Sequence, residues 1–198
     1  RCLGFSEYGC EGMPNLHSSH PHRGDHTEEY QAIYHEYMLE CFKKRPFMWA
    51  SHVWNMFDFA ADARNQGGEP GMNHKGLVTF DRKIKKDSFY LYKAYWNKAP
   101  MVHIAGKRYV YRPEKITTVK VYTNCESVTL YANGKEVATK SCKCSGGKVC
   151  TLRVTLSENT QLEAVAGSLR DKAVLHFTPD PIASYKLNKK VAGGGNWT

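Results

Sequence analysis

The first half of the chain alternates between strand-like and helix-like hydrophobic patterns. A short apolar run ends at Glu7, and a helix is predicted from about Thr27, with Asp25 and Glu28 as its capping box. Pro46 then ends the helix. Its apolar residues follow the i, i+3, i+4, i+7 spacing of one buried face, and they are Tyr30, Ile33, Tyr34, Tyr37, Met38, Cys41 and Phe42.

A second strand and a second helix follow. Residues 47–54 are apolar or aromatic almost without interruption, as in a strand that is buried on both faces. After a long loop, another helix is predicted just beyond Lys86. This order predicts parallel strands joined by right-handed crossovers. Two strands do not make a stable parallel sheet and the chain begins at Arg1 in mid-strand, so we expect a fragment whose other strands lie upstream.

From Pro100 onward the hydrophobic period changes to two. Asn133-Gly134 is a strong signal for a tight hairpin, since a type I′ turn needs positive φ at both positions. The frequent short strands predict an immunoglobulin-like β-sandwich; the candidates are residues 108–112, 116–123, 128–132, 136–139, 149–156, 161–166 and 173–177. The predicted fold class is α/β plus all-β, with domains at residues 1–98 and 99–178 and a linker or tail at 179–198.

The charge raises the question of nucleic acid as a partner. The chain has 28 Lys and Arg against 19 Asp and Glu, a formal net charge of +9. These basic residues lie in short separate groups without a motif of stacking aromatics, so we predict no nucleic-acid partner. No apolar run approaches the ~20 residues of a membrane helix, and no signal peptide is evident. We therefore expect no membrane partner and leave the compartment open.

The clusters of cysteines and histidines raise the question of a metal site. The group of Cys142, Cys144 and Cys150 lacks a fourth ligand nearby, so free thiols are the simpler interpretation. The histidine-rich loop at residues 17–26 could bind a metal through neutral imidazoles. Loop polarity or the lining of a pocket explains it more simply, and we expect neither metal nor cofactor.

Two residues at predicted strand ends carry candidate chemistry. Glu7 closes the first strand, and the carboxyl ends of the strands form the active-site face of barrel enzymes. Trp54 closes the second strand, where an aromatic face could stack on a sugar ring. The alternatives are that Glu7 is an ordinary loop residue and that Trp54 belongs to the core.

Four segments in this order resemble the end of the catalytic barrel of glycoside hydrolase family two, the β-galactosidase and β-glucuronidase family. They are SEYG at 6–9, WNMFDFA at 54–60, GMNHKGLVTFDRK at 71–83 and KDSFYLYKA at 86–94. The resemblance covers about half the chain closely. It implies the last two βα units of a (β/α)8 TIM barrel, followed by the immunoglobulin-like β-sandwich that such enzymes often carry.

By the same resemblance, Glu7 matches the nucleophile and Trp54 an aromatic wall against the sugar. Asn73 and Lys75 match the loop that borders the innermost sugar subsite. The resemblance implies a retaining mechanism in the full-length protein. The family's acid/base glutamate has no matching position here, so we expect the fragment alone to be inactive.

The resemblance also suggests the substrate. It favours a β-galactoside. A glucuronide is the alternative, because Lys75 could give a uronate a charge-assisted bond. Another β-glycoside stays open, as does a non-catalytic carbohydrate-binding module. The predicted partner is a carbohydrate, and a homo-oligomer is compatible with the sequence.

Overall fold

The computed structural model describes residues 2–65, 69–142, 148–180 and 182–187. These form two compact units. The first contains the described residues up to Phe89 together with residues 183–187, and the second runs from Tyr90 to Ile182. None of the helices in these ranges is both long and apolar enough to cross a membrane.

The first unit is built on a parallel βαβ arrangement. Strand β1 (Leu3–Tyr8) leads through helix α1 (Glu28–Lys43) to strand β2 (Met48–Val53). The two strands pair in parallel, with Gly4 opposite Ala50 and Tyr8 opposite Val53. The predicted parallel pairing through a helix is therefore confirmed.

The N-terminus of α1 differs from the predicted capping box. Thr27 is the N-cap, and its side chain accepts a hydrogen bond of 3.1 Å from the backbone N–H of Tyr30. The Asp25 carboxylate instead holds the cap itself, because it accepts bonds of 2.9 Å from the backbone N–H and the hydroxyl of Thr27. Glu28 is fully buried, and its carboxylate accepts a bond from the backbone N–H of Asp87 at 2.8 Å.

The predicted buried face of α1 is only partly correct, because five of its seven residues are half-buried and two are exposed. Ile33 and Tyr37 are exposed, Tyr37 to 68%. Of the predicted residues, Phe42 does pack, with its ring edge-on to Tyr8 at 4.9 Å. The residues that are buried follow the same helical spacing but are mainly polar: Glu28, Gln31, Ala32, His35 and Leu39. A helix that lies against loop backbone needs hydrogen-bonding side chains there, and a search for apolar periodicity passes over them.

The predicted burial of residues 47–54 on both faces is also wrong within the described chain. Trp49 on β2 is 73% exposed, and Phe47, Leu3 and Phe5 are exposed as well. β1 and β2 form a two-stranded sheet in the described residues, so their apolar side chains lack the covering that further strands and helices give in a larger parallel sheet.

The long loop after β2 contains two short strands that the sequence pattern missed. β3 (Phe59–Ala60) pairs antiparallel with β4 (Met72–Asn73), and helix α2 follows at Asp87–Trp96. The backbone N–H of Asp58 donates to the Val78 carbonyl at 2.9 Å, which ties the two ends of this loop together. The helix predicted beyond Lys86 is confirmed.

The second unit contains two mainly antiparallel sheets that pack around one apolar core. One has the order β10-β7-β5 and the other β6-β12-β11-β8-β9. Their core includes Val119 and Val121 from one sheet and Leu130, Leu162 and Leu175 from the other. The strands are β5 (Val102–Ala105), β6 (Tyr111–Arg112), β7 (Ile116–Thr123), β8 (Ser127–Ala132), β9 (Lys135–Ser141), β10 (Val149–Thr155), β11 (Thr160–Ala166) and β12 (Leu169–Phe177).

Most of the period-two strands are confirmed. The turn between β8 and β9 has φ of 49° at Asn133 and 77° at Gly134, as the hairpin prediction required. Strand β5 was missed, and β12 begins at Leu169, four residues before the predicted strand at 173. After β12, Ala183–Tyr185 forms a 3-10 turn within the predicted tail. Cys144 and residues 188–198 of that tail lie outside the described residues.

Candidate functional site

Glu7 lies on β1, next to its carboxyl end, and its side chain is exposed. The register between β1 and β2 shifts between the Phe5–Ser51 pair and the Tyr8–Val53 pair, so Glu7 falls in an irregular stretch of the ladder. Irregularities of this kind change the direction of a side chain and are frequent beside active sites. The predicted nucleophile is thus presented to solvent from a local break in the strand pairing.

Trp54 begins the segment that follows β2. Its backbone N–H donates to the Tyr8 carbonyl at 2.7 Å, which joins the carboxyl ends of the two strands. The indole is 36% exposed and meets the Phe59 ring edge-on at 5.8 Å. Trp54 and Glu7 therefore come from the same end of the parallel pair, and Trp54 keeps part of its ring open to a ligand.

The structure gives Asn73 and Lys75 different surroundings. Asn73 is buried on β4, and its side-chain oxygen accepts a 2.9 Å bond from the backbone N–H of Lys75. Lys75 is partly exposed, and among the described residues no carboxylate lies within 4 Å of its ammonium. Asn73 thus shapes the turn, while Lys75 carries a positive charge that no described acidic side chain neutralises at contact.

A buried ion pair lies beneath this turn. Lys86 is fully buried, and its ammonium donates to Asp58 Oδ1 at 2.7 Å and to the His74 carbonyl at 3.0 Å. The same Asp58 oxygen accepts from the backbone N–H of Gly76 at 2.9 Å. Burial lowers the pKa of Lys86, and the Asp58 carboxylate opposes that shift.

Further polar contacts join the turn to the loop after β1 and to α1. Gln31 donates to the carbonyls of Cys10 at 3.1 Å and Gly76 at 3.2 Å, and its own carbonyl accepts from the Ser88 hydroxyl at 2.8 Å. Glu11 accepts a 2.7 Å bond from the backbone N–H of His74 and pairs with Arg64. The 73–76 turn is therefore held by the loop that follows β1 and by α1.

Sequence reasoning missed these supporting residues. Asp58 and Lys86 both fall inside the segments that carry the family resemblance. Asp58 stands alone within an aromatic run, and Lys86 directly precedes a helix. For Asp58 the isolated charge in an apolar segment was the available signal, because such a charge is buried only when it has a partner.

The pKa of the Cys10 thiol, in the loop after β1, depends on its burial and on nearby charges. Burial is the main cause that raises its pKa, and Glu11 adds to the shift. The positive charges of Lys75 and Lys86 act in the opposite direction. The Lys75 charge therefore acts on the loop that follows β1.

The histidine-rich loop is used to build local structure. His17 is buried, with Nδ1 2.9 Å from Glu29 Oε1, and its backbone N–H donates to the Tyr185 carbonyl at 2.9 Å. The backbone N–H of His22 donates to the Asp25 carboxylate at 2.7 Å. Across the described ranges no group of three or more His, Cys, Asp or Glu is arranged to hold a metal ion.

Comparison with known proteins gives a consistent set of relatives. Residues 114–166 match a family model described as a domain of unknown function (DUF4982). A β-glucuronidase of Bacteroides fragilis is 42% identical over 139 residues, which are 67% of this chain and 20% of that protein.

Two solved structures extend the likeness over nearly the whole chain. One is an FMN-binding β-glucuronidase from Faecalibacterium prausnitzii L2-6, with 53% identity and a TM-score of 0.89 over 94% of this chain and 28% of that one. The other is Bacteroides uniformis β-glucuronidase 2 covalently bound to cyclophellitol-6-carboxylate aziridine, with 31% identity and a TM-score of 0.77 over 90% of this chain and 22% of that one. This chain thus spans less than a third of the length of each of these relatives.

Proposed function

Because the chain belongs to glycoside hydrolase family two, the family of β-glucuronidases and β-galactosidases, we propose that its protein is a retaining β-glycosidase with Glu7 as the nucleophile. The observation that carries this proposal is the position of Glu7. It is an exposed carboxylate in an irregular stretch beside the carboxyl end of a parallel strand, and Trp54 comes from the corresponding end of the neighbouring strand.

The proposed reaction is a double displacement. The ionised Glu7 carboxylate attacks the anomeric carbon, and the bond to the leaving oxygen breaks as a second carboxylic acid protonates that oxygen. The same second group then removes a proton from water, which attacks the anomeric carbon and releases Glu7. We assign this second group to a part of the barrel outside the present sequence, so we expect residues 1–198 alone to be inactive.

The partly open Trp54 ring supports a role in holding the sugar. Sugar rings present patches of C–H groups that pack on aromatic faces, while their hydroxyl groups need polar partners. An indole fixed by a backbone bond to Tyr8 and by an edge contact with Phe59 offers such a face in a defined orientation.

For the substrate we propose a β-glucuronide, with Lys75 binding its carboxylate. A partly exposed ammonium without an acidic partner among the described residues is suited to bind an anion from solution. Asn73 would then act through the turn, because its side-chain oxygen already accepts from the Lys75 backbone N–H. Two of the relatives support this choice by name, as β-glucuronidases, and a third is bound to a carboxylate-bearing inhibitor.

A β-galactoside, which the sequence motifs favoured, is the second candidate substrate. A galactoside has no carboxylate, so Lys75 could offer it a hydrogen bond to a hydroxyl group but no ion pair. Only a uronate adds the attraction between two opposite charges. The two substrates therefore make different predictions for the removal of the Lys75 charge.

The test is an assay of the full-length protein on nitrophenyl β-glucuronide and β-galactoside, with Glu7→Gln and Lys75→Met variants. We expect glucuronide to be preferred, Glu7→Gln to abolish turnover and Lys75→Met to remove the preference. The exposed Glu158→Gln is the matched control for loss of one carboxylate. Turnover that survives Glu7→Gln would show that Glu7 is not the nucleophile, and a galactoside preference would move the substrate to the second candidate.

The sequence predicts no cofactor, but one relative supports a different proposal: we propose that the protein also binds FMN, as its relative from F. prausnitzii does by name at 53% identity. Glycoside hydrolysis involves no net oxidation, so FMN would not take part in the bond-breaking step. Titration of the full-length protein with FMN and with riboflavin tests this: quenching of flavin fluorescence by FMN alone would support a phosphate-dependent site, and no quenching by either would exclude it.

A further inference from the structure

One buried ion pair holds the backbone on both sides of Lys75. Lys86 Nζ donates to the carbonyl of the preceding residue, His74, at 3.0 Å. Asp58 Oδ1 accepts from the backbone N–H of the following residue, Gly76, at 2.9 Å. The pair itself closes at 2.7 Å, so the turn that carries Lys75 is clamped at two points by a single unit.

Stability alone does not explain why this ion pair is buried. Lys86 is 0% exposed and Asp58 is 1% exposed, so both charges have lost their hydration. Removing two charges from water costs about as much as their attraction returns, and apolar residues of similar volume are often equally stable in such places. What apolar residues could not supply is the pair of directional hydrogen bonds to the His74 carbonyl and the Gly76 N–H.

The surroundings leave the turn little freedom to move. A β-carbon on Gly76 would lie 2.1 Å from the backbone nitrogen of Asp58, so the two segments are in direct contact. Gln31 Nε2 also donates to the Gly76 carbonyl, and Glu11 accepts from the His74 N–H. The two residues that flank Lys75, His74 and Gly76, are therefore each held by hydrogen bonds to two side chains. The Lys75 side chain projects from between them.

We propose that Lys86 and Asp58 are positioning residues that determine the preference for a carboxylate-bearing sugar. They act through the 74–76 backbone and place the Lys75 ammonium where it meets the substrate carboxylate. This inference rests on the proposed role of Lys75. Its consequence is selective, because a shifted ammonium weakens the contact with a uronate, whereas a neutral sugar makes no such contact.

The experiment compares nitrophenyl β-glucuronide with nitrophenyl β-glucoside, which differs only in having a hydroxymethyl group in place of the carboxylate. The full-length protein is assayed with Lys86→Met, Asp58→Asn and, as the matched control, Lys85→Met. Lys85 is the adjacent lysine; it is exposed, and its ammonium lies over the Phe89 ring. We expect the ratio of kcat/KM for glucuronide to that for glucoside to fall roughly ten- to hundredfold in the first two variants, mainly through KM, and to stay unchanged in Lys85→Met.

A purely structural role for the pair would lower kcat/KM for both sugars together, and that result would overturn the proposal. Asp58→Asn keeps the shape of the side chain, so it provides the answer if Lys86→Met does not fold. A double variant adds a further criterion: once Lys75→Met has removed the ammonium, Lys86→Met should cause no additional loss of preference.

The failures of this proposal and of the proposed function are distinguishable. If Lys75→Met leaves the glucuronide-to-glucoside ratio unchanged, Lys75 does not read the carboxylate and the proposed function is wrong at that residue. If Lys75→Met lowers the ratio but neither Lys86→Met nor Asp58→Asn does, the substrate assignment stands and only the positioning role is wrong.

Discussion

A β-carbon added to Gly9 would lie 2.0 Å from the carbonyl oxygen of Trp54. The neighbouring Tyr8 carbonyl accepts a bond from the Trp54 N–H, so the chain after β1 and the chain after β2 touch through their backbones. Only a residue without a side chain fits at position 9. The close approach that brings Glu7 and Trp54 to the same edge therefore depends on this glycine.

We predict that Gly9→Ala destabilises the protein and reduces its activity. The added methyl group meets backbone, which cannot move aside as a side chain can, so a cost of about 1–3 kcal/mol or more is expected. Gly4→Ala is the matched control, since its β-carbon would meet only the exposed Trp49 ring, at 3.1 Å. Urea unfolding and assay of both full-length variants provide the measurement, and equal effects of the two substitutions would contradict the prediction.

The second prediction concerns the reactivity of the cysteines. Burial, with help from a hydrogen bond to Cys142, raises the pKa of Cys150 to about 12, whereas Cys2 is exposed. The thiolate is the species that reacts with iodoacetamide, so a rise of about three pKa units reduces the reactive fraction roughly a thousandfold at neutral pH.

Mass spectrometry of the native protein after brief alkylation should therefore show modification at Cys2 long before Cys150. Alkylation in denaturant serves as the control, because both thiols should then react at similar rates. Early modification of Cys150 in the native protein would mean that its strand is not packed as the structure shows.

The third prediction concerns stability at acid pH. His35 is fully buried on α1, and burial, followed by the charge of Lys86, lowers its pKa to about 3. The unfolded chain has the ordinary value of about 6.5, so between about pH 6.5 and pH 3 the unfolded state binds the additional proton. The contribution of the neutral His35 side chain to the free energy of unfolding is thus fully present above about pH 6.5. It is lost as the pH falls, by up to about 1.4 kcal/mol per pH unit.

His35→Gln should make the free energy of unfolding less dependent on pH in this window. Urea unfolding at a series of pH values tests this, with the exposed His20→Gln as the control that should leave the slope unchanged. If His35→Gln left the slope as steep as in the native protein, His35 would have to titrate at a similar pH in the folded and unfolded states.

The sequence predicted the fold best where one physical rule decides the outcome. The strands of the second unit alternate between core and solvent, so Val119 and Val121 could be assigned to the interior by period alone. The turn at Asn133 and Gly134 follows from positive φ, which few other residues adopt readily. Strand β5 was missed because Val102–Ala105 is short and its burial does not alternate from residue to residue.

The candidate site could be predicted only in part. The order of the family segments identified Glu7 and Trp54, and the structure brings their strands together. The residues beneath the 73–76 turn could not be read in the same way, because Gln31, Asp58 and Lys86 are polar and their burial depends on partners far away in sequence. A periodicity rule assigns such residues to the surface, and only the three-dimensional pairing shows why they are inside.

Arg112 provides the last prediction, in the second unit. It is buried at the end of β6, and its guanidinium donates to the carbonyls of Gly106, Tyr109 and Thr118 and to the hydroxyl of Thr117. The bonds leave from three different nitrogens, a fork that a lysine ammonium cannot reproduce. Lysine at this position would therefore lose most of these buried hydrogen bonds.

We predict that Arg112→Lys lowers the free energy of unfolding by roughly 2–4 kcal/mol, since it removes several buried hydrogen bonds from a charged donor, each worth about 1–3 kcal/mol. Arg153→Lys is the matched control, because Arg153 is exposed on β10 and should tolerate the change within about 0.5 kcal/mol. Urea unfolding followed by circular dichroism measures both. If Arg112→Lys proved as stable as Arg153→Lys, Arg112 would not be what holds the 106–112 segment in place.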